Sequence, residues 1–322
     1  MKNGPFVFVA GLIALLGAWG ALVMGPVVQV GSLDVHVDEN TGEIYPLNRS
    51  GQAVQGAQVY RSLGCNQCHT RFATQDELWF GARITKPTTN TAILAATLIK
   101  VDPTLTEQEA ADLAAQKPPI QVVSDVGPFY AQRAEELIKA TQSEIEVTVH
   151  NHGADLERGW GERQSVSRDY VLDGDAVLGS LRIGPDLANI GVRAPEDFVG
   201  KWSFVAHETN VVARTEERMR WHLLHLYNPQ IKAPKSTMPS YKFLFEEREI
   251  GANPSSDALN LPEQFAPAAG KEVIPTDAAK ALVGWLLSQR NDVSLPEAPI
   301  QKPFKPAPPK KADAAADQAA KQ

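Results

Sequence analysis

Both cysteines of this 322-residue chain lie in one short segment, Leu63–Phe72, whose sequence is LGCNQCHTRF. Two residues separate Cys65 from Cys68, and His69 follows directly. A disulfide across so short a loop would be redox-active rather than structural. The surrounding residues do not fit the strand-then-helix context of a thioredoxin-like motif, and a zinc site would need a second pair of Cys or His ligands. The spacing of these three residues therefore needs an explanation other than a disulfide or a zinc site.

The chemistry that remains for Cys-x-x-Cys-His is covalent attachment of a c-type haem. In this arrangement Cys65 and Cys68 form thioethers with the two vinyl groups, and His69 binds the iron from one side. One helical turn places both sulfurs along one haem edge and brings the next residue over the metal. The motif therefore predicts one covalently bound haem c.

The favoured candidate for the sixth position on the iron is Met238. A haem that only transfers electrons usually has a second strong axial ligand, and methionine raises its potential. Met238 lies between Pro234 and Pro239, where the backbone cannot be helical and an extended loop can present a thioether. Met219 lies in a helical pattern and is interpreted as a core or surface residue. The competing candidates, which more often cap, pack or are solvated, are His150, His152, His207, His222 and His225.

The N-terminal segment is long and apolar enough to cross a membrane. It has no charged residue from Asn3 to Leu33, and a helix of about 20 residues crosses a hydrocarbon core of about 30 Å. An uncleaved anchor over residues 1–33 is favoured over a cleaved signal peptide, because no small-residue cleavage site is evident. Lys2 precedes the segment and acidic residues follow it, which predicts a cytoplasmic N-terminus and an exported remainder.

Composition narrows the class of protein further. The hydrophobic content of 43% and the charged content of 21% are ordinary for a globular protein. The net charge of −7 argues against a nucleic-acid partner, which would need clustered Lys and Arg. Residues 296–322 are rich in Pro, Ala and alternating charge and cannot form a core, which predicts a disordered tail. Its lysines either bind an acidic partner or lipid headgroups, or are simply solvated.

Two segments are predicted to form helices that cross beside the haem. The first, Gln52–Cys65, has Gly56 for close contact and an expected apolar face made of Val54, Ala57, Tyr60 and Arg61. The second, Asp277–Arg290, is capped by Thr276 or Asp277. Its expected apolar face is made of Ala281, Leu282, Trp285 and Leu286.

Two further segments carry a family resemblance. RIGPDLANIGVR, residues Arg182–Arg193, resembles the cytochrome c pattern in which a Gly-Pro pair follows the haem-binding helix. In that family the Pro carbonyl accepts a hydrogen bond from the ligand histidine, which implies a contact between Pro185 and His69. WHLLHLYNPQIKAPKSTMPSY, residues Trp221–Tyr241, resembles a segment of the mono-haem subunit of cbb3-type cytochrome c oxidases. The anchor, the YRSLGCNQCHT stretch and the order of the motifs are also similar to that subunit.

The resemblance implies a mainly α fold, with a single N-terminal transmembrane helix and a periplasmic mono-haem cytochrome c domain over residues 34–295. It places the chain in the bacterial inner membrane, where it relays electrons to a haem–copper catalytic subunit that reduces oxygen. A di-haem subunit or a soluble cytochrome c is the expected donor, other membrane subunits and lipid are further partners, and this chain itself has no catalytic centre. The alternatives are a cytochrome of a nitric oxide reductase or a photosynthetic reaction centre, and a haem enzyme such as a peroxidase with an open iron site.

Three insertions depart from the family pattern, at about 73–178, 194–217 and 247–275. Within the first, TEQE is a capping signature that predicts a helix over Thr106–Ala115. A second helix is predicted over Pro128–Gln142. The insertions are interpreted as a small helical lobe, as a docking surface for a partner, or as surface elaboration.

Overall fold

The computed structural model of the protein describes residues 3–38, 42–49, 51–124, 139, 144–193 and 211–300. In chain order its α-helices are α1 Gly4–Trp19, α2 Gly25–Val30, α3 Gly51–Ser62, α4 Thr91–Val101, α5 Glu107–Ala114, α6 Ala154–Glu157, α7 Val211–Tyr227 and α8 Asp277–Leu287. Its strands are β1 His36–Val37, β2 Ile44–Tyr45, β3 Glu77–Lys86, β4 Ile120–Ser124, β5 Glu144–His152, β6 Phe245–Glu249 and β7 Lys271–Pro275. Helices hold more of the described residues than strands do, as the mainly α prediction requires.

An apolar helix begins the described chain. α1, a π-helical turn at Gly20–Met24 and α2 together form a stretch of 27 residues, Gly4–Val30, with a mean hydropathy of 2.4. None of its most apolar window is buried against the rest of the protein. The prediction of an N-terminal helix long and apolar enough to span a membrane is therefore confirmed.

The chain divides into two compact units. The first contains Met1–Thr74 and Asp155–Ala298, and the second contains Gln75–Ala154 and Pro299–Gln322. The core of the first unit lies between α3, α7 and α8 and is extended by the antiparallel pair β6–β7. Most of the third insertion, 247–275, is thus the connection within a β-hairpin of this unit.

α3 and α8 cross at Gly56 within the first unit. A Cβ atom built on Gly56 would lie 1.9 Å from the carbonyl oxygen of Ala281 and 2.7 Å from the Cβ of Trp285. Only glycine therefore permits the two backbones to approach so closely. Beside this point the rings of Tyr60 and Trp285 pack with their centroids 4.3 Å apart. The predicted crossing of these helices is confirmed.

The predicted buried face is right for α8 and partly wrong for α3. All four predicted apolar residues of α8 are buried. On α3, however, Val54 is 49% exposed and Arg61 is exposed, whereas Ala53 and Gly56 are buried with Tyr60. The small side chains at positions 53 and 56 let the helices approach each other, and this turns the larger Val54 towards solvent.

The ends of both helices differ from the predicted boundaries. α3 ends at Ser62 and α8 at Leu287, each three residues earlier than expected. Gly64 has a φ of +69°, a conformation that glycine adopts without strain and that ends α3 before the cysteines. At the start of α8, the Thr276 hydroxyl oxygen accepts a hydrogen bond from the Ala279 amide at 3.3 Å, so Thr276 is the cap.

The second unit contains an antiparallel sheet of order β4-β3-β5. One face of this sheet packs on α4 and α5, with a core that includes Ile84, Leu94, Leu98, Ala110, Ile120 and Ile145. This part of the first insertion is α+β, so the interpretation as a helical lobe is wrong for the described residues. Ile84 of β3 and Ile145 of β5 lie in this core.

The helix predicted from TEQE is confirmed as α5. Thr106 Oγ1 accepts a hydrogen bond from the Glu109 amide at 3.3 Å, and the Glu109 carboxylate accepts one from the Thr106 amide at 2.9 Å. This reciprocal pair is the predicted capping box. The helix predicted over Pro128–Gln142, most of the 194–217 insertion and residues 301–322 of the tail lie outside the described residues.

Candidate haem-binding site

The two cysteines and His69 lie on one tight turn that follows α3 directly. The turn is a 3₁₀-helix, Cys65–Gln67, in which the Cys65 carbonyl oxygen accepts hydrogen bonds from the amides of Cys68 at 3.1 Å and His69 at 3.0 Å. Both thiols are free and partly buried, and burial raises the pKa of Cys65 to about 11. The turn therefore presents two free thiols and an imidazole together.

His69 is held by the segment that contains Pro185. Its Nδ1 lies 2.8 Å from the Pro185 carbonyl oxygen, which is the contact that the family resemblance implies. Because a carbonyl oxygen only accepts, Nδ1 carries the proton and Nε2 keeps its lone pair. Burial lowers the pKa of His69, which favours this neutral form. A neutral imidazole with one nitrogen bonded to a carbonyl is the usual form of a metal ligand.

Gly184 allows this segment to lie against the imidazole. A Cβ atom built on Gly184 would lie 2.3 Å from the Cε1 of His69. The Gly184 amide also donates a hydrogen bond to the Cys68 carbonyl oxygen at 2.9 Å. The Gly-Pro pair thus serves two purposes, since glycine gives room for the ring and proline supplies the acceptor.

Asp186 connects the turn of the cysteines with the segment that contains Pro185, and the sequence alone did not indicate this role. Its carboxylate accepts hydrogen bonds from the Thr70 hydroxyl at 2.5 Å, the Phe72 amide at 2.8 Å and the Ala188 amide at 2.7 Å. The residue is fully buried, and this burial raises the pKa of the carboxyl. The only sequence signal was a charged residue directly after Gly-Pro in an otherwise apolar stretch.

Arg182 provides a second clamp on the residues after His69. Its guanidinium donates to Asp155 at 2.8 Å, to the Thr70 hydroxyl at 3.1 Å and to the Phe72 carbonyl oxygen at 2.6 Å. Asp155 in turn accepts hydrogen bonds from the amide and hydroxyl of Thr74. Residues 70–74 are therefore fixed by charge-assisted hydrogen bonds at both ends.

Met238 lies in a non-helical loop, as predicted. The side chain is partly buried and packs against the core of the first unit, which Cys65 and Tyr241 also contact. The loop is tied to α7 by a hydrogen bond from the Tyr241 amide to the Leu226 carbonyl oxygen, at 2.9 Å. Burial raises the pKa of Tyr241, and the nearby thiols of Cys65 and Cys68 raise it further. The loop of Met238 and the turn of the cysteines thus meet at one edge of the core.

The histidines that compete with Met238 fall into different places. His222 and His225 lie on α7, in the same unit as His69, and burial is the main cause of their lowered pKa values, about 3 and about 4. His150 and His152 lie on β5 of the second unit, and His207 lies outside the described residues.

The donor set fits a covalently attached porphyrin. Two free thiols and a neutral imidazole are grouped on one turn, and a thioether is held at the same edge of the core. In the part of the chain that the structure describes, no three His, Cys, Asp or Glu side chains are grouped to hold a metal ion. A porphyrin does not need such a group, because its own nitrogens supply four ligands. No protein-family model matches the sequence, and no curated protein is significantly similar to it.

Proposed function

We propose that this chain is a membrane-anchored c-type cytochrome that relays single electrons to the haem–copper catalytic subunit of a terminal oxidase. The observation that carries the proposal is the turn of Cys65, Cys68 and His69, with His69 Nδ1 bonded to the Pro185 carbonyl oxygen. This bond leaves Nε2 available for iron on the same turn as the two attachment thiols. The identity of the acceptor rests on the resemblance to the mono-haem subunit of cbb3-type oxidases.

Each residue of the site has a defined task in this function. A bound haem c supplies a centre that accepts and releases one electron. Cys65 and Cys68 would hold it covalently, and His69 and Met238 would ligate its iron. With both ligands bound, no site would remain for a substrate, so the chain would transfer electrons and make or break no substrate bonds.

The surrounding hydrogen bonds keep the proximal ligand in place. The Pro185 carbonyl fixes the tautomer and orientation of the imidazole and increases its basicity. Asp186 and Arg182 hold the residues that follow His69, so the turn does not need to rearrange when the charge of the haem changes. Small rearrangement on electron transfer favours fast transfer.

The apolar helix Gly4–Val30 would hold the relay at the outer surface of the bacterial inner membrane, with its N-terminus in the cytoplasm. A tether of this kind keeps the haem close to a membrane-embedded acceptor. Electrons would arrive from a di-haem subunit or a soluble cytochrome c. Oxygen reduction would take place in the partner subunit.

Mass spectrometry of the detergent-solubilised complex tests the proposal directly. A haem–copper catalytic subunit should co-purify with this chain, and the chain should give a pyridine haemochrome spectrum of the c type. The variant Cys65→Ala/Cys68→Ala should lose the covalent haem and serves as the control. Purification with a nitric oxide reductase or a photosynthetic reaction centre would instead support the alternative partners, and absence of the haemochrome from the wild-type chain would contradict the proposal.

A further inference from the structure

One imidazole besides His69 lies near the candidate haem-binding site. His225 is on the last turns of α7, and its ring stacks on that of Trp221 with centroids 4.6 Å apart and planes 14° apart. Its Nδ1 atom is buried and has no hydrogen-bond partner among the residues that the structure describes. A buried polar nitrogen without a partner is energetically unfavourable. This nitrogen is therefore free to bind another group.

His225 lies near the residues that would bind the iron. Burial lowers the pKa of His225, and the nearby His69, the proposed proximal ligand, lowers it further. The next residue, Leu226, accepts the hydrogen bond from Tyr241 that ties the Met238 loop to α7. His225 thus lies where α7, the Met238 loop and the turn of the cysteines converge.

The other histidine of α7 faces different groups. His222 is fully buried, and its electrostatic neighbours are His225, Arg193 and Arg218. His69 contributes to the lowered pKa of His225. His225 and His222 can therefore be compared as a matched pair, because His225 lies near the candidate site whereas His222 lies near Arg193 and Arg218.

We propose that His225 is a replacement axial ligand, which binds the haem iron when the thioether of Met238 leaves it. This inference rests on the proposed function, because it requires a haem on Cys65 and Cys68. The exchange breaks one iron–sulfur bond and forms one iron–nitrogen bond. A neutral imidazole binds through its lone pair, so no electron and no proton is gained or lost.

The exchange would change what the relay can do. Methionine raises the reduction potential of a c-type haem, so replacement by a second imidazole lowers it. A lower potential would slow electron transfer to a late acceptor in a respiratory chain. Oxidation of Met238 to its sulfoxide by a peroxide, which transfers one oxygen atom to the sulfur and is itself reduced to water or an alcohol, is a natural trigger, since it turns the ligand into a polar group. His225 would then protect an oxidised site from binding external ligands while reducing its flux.

Absorption spectroscopy of full-length variants in detergent tests this inference. Met238→Ala should lose the thioether-to-iron charge-transfer band, remain six-coordinate and low-spin, show a lowered potential, and not bind carbon monoxide at once. Met238→Ala/His225→Leu should become high-spin and bind carbon monoxide immediately. The covalent thioethers keep the haem in place in both variants. Met219→Ala, a methionine on α7 that is 41% exposed, should leave the spectrum unchanged.

Two results would overturn the inference. The first is a high-spin spectrum with immediate carbon monoxide binding in Met238→Ala alone. The second is a low-spin spectrum that persists in Met238→Ala/His225→Leu but disappears in Met238→Ala/His222→Leu. Pyridine haemochrome spectra of every variant distinguish these results from failure of the proposed function. That failure would appear in the wild-type chain, which would then lack haem c or the charge-transfer band.

Discussion

Hydrogen bonds of single residues fix the turn of the cysteines, and the carboxylate of Asp186 is the most important acceptor. Its carboxylate accepts a hydrogen bond from Thr70, a residue 116 positions earlier in the chain. Local sequence patterns do not reveal such a pair, because no periodicity connects two loops so far apart. The contact between His69 and Pro185 has the same separation and was expected only because the sequence resembles a known family.

Asp186→Asn should lower the free energy of unfolding by about 1–3 kcal/mol, since the amide keeps one acceptor oxygen and leaves a donor partner of the second unsatisfied. Chemical denaturation followed by circular dichroism measures this loss. Asp175→Asn is the matched control, because the Asp175 side chain is 73% exposed in its ion pair with Arg61. The control should change stability by less than about 0.5 kcal/mol. Equal effects of the two substitutions would show that the Asp186 network does not stabilise the site.

His222 should make stability depend on pH. Burial, followed by the charges of His225, Arg193 and Arg218, lowers its pKa to about 3, whereas an unfolded histidine has a pKa of about 6.5. Between these values the unfolded chain binds more protons than the folded chain, so stability falls as pH falls through this window. The slope contributed by His222 is at most about 1.4 kcal/mol per pH unit.

Unfolding free energies measured at neutral pH and near pH 5 test this prediction. The wild-type chain should lose more stability on acidification than His222→Leu does, whatever the absolute stability of the variant. His225 has a lowered pKa of about 4 and contributes in the same direction, so part of the dependence should persist. Identical pH dependence in the two proteins would show that His222 is not held neutral in the fold.

At the scale of elements, the crossing of α3 and α8 depends most strictly on one residue, Gly56. A methyl group at Gly56 would overlap the backbone of α8, with a separation of 1.9 Å from the Ala281 carbonyl oxygen. The backbone cannot move away without separating Tyr60 from Trp285. Gly56→Ala should therefore destabilise the protein by about 1–3 kcal/mol, the range expected for overpacking.

Gly284→Ala is the matched control for this prediction. Gly284 lies inside α8, and a Cβ atom built there meets no atom within 4 Å. This substitution should stabilise the helix by about 0.5–1 kcal/mol, because alanine loses less conformational freedom than glycine on folding. Thermal or chemical unfolding of the two variants should give shifts of opposite sign, and a neutral Gly56→Ala would contradict the observed packing.

The elements also show which local signals were sufficient. Thr106 and Glu109 satisfy each other within one turn, so the start of α5 could be predicted from four residues. The four apolar residues of α8 followed a helical period and were predicted correctly. On α3 the period was found but the face was partly wrong, because the partner helix selects Ala53 and Gly56 for their small size. The strands β3 and β5 were missed, since their pairing joins segments separated by more than 50 residues.

At the scale of the whole molecule, the two units explain why the family resemblance covers only part of the chain. The segments that carry the resemblance all lie in the first unit; they are the N-terminal helix, YRSLGCNQCHT, Arg182–Arg193 and Trp221–Tyr241. The second unit has its own core between a sheet and two helices. A self-contained core lets such a unit be inserted between residues 74 and 155 without disturbing the hydrogen bonds of Thr74 with Asp155.

The last prediction concerns the helix Gly4–Val30, whose apolar side chains are not covered by the rest of the protein. Exposure of so many apolar side chains to water is unfavourable, at about 25 cal/mol for each Å². The full-length chain should therefore be recovered in the membrane fraction and should resist extraction by alkaline carbonate. A chain that lacks residues 1–33 and is exported by an unrelated cleaved signal peptide should be soluble. It should also give the c-type haemochrome spectrum expected from the proposed function, because Cys65, Cys68 and His69 lie outside the deleted segment. An intact mass of the mature wild-type chain that includes the N-terminal helix would confirm an uncleaved anchor. A soluble wild-type chain that begins after residue 33 would show instead that the helix is a signal peptide, and the electron relay would then have to reach its acceptor by diffusion.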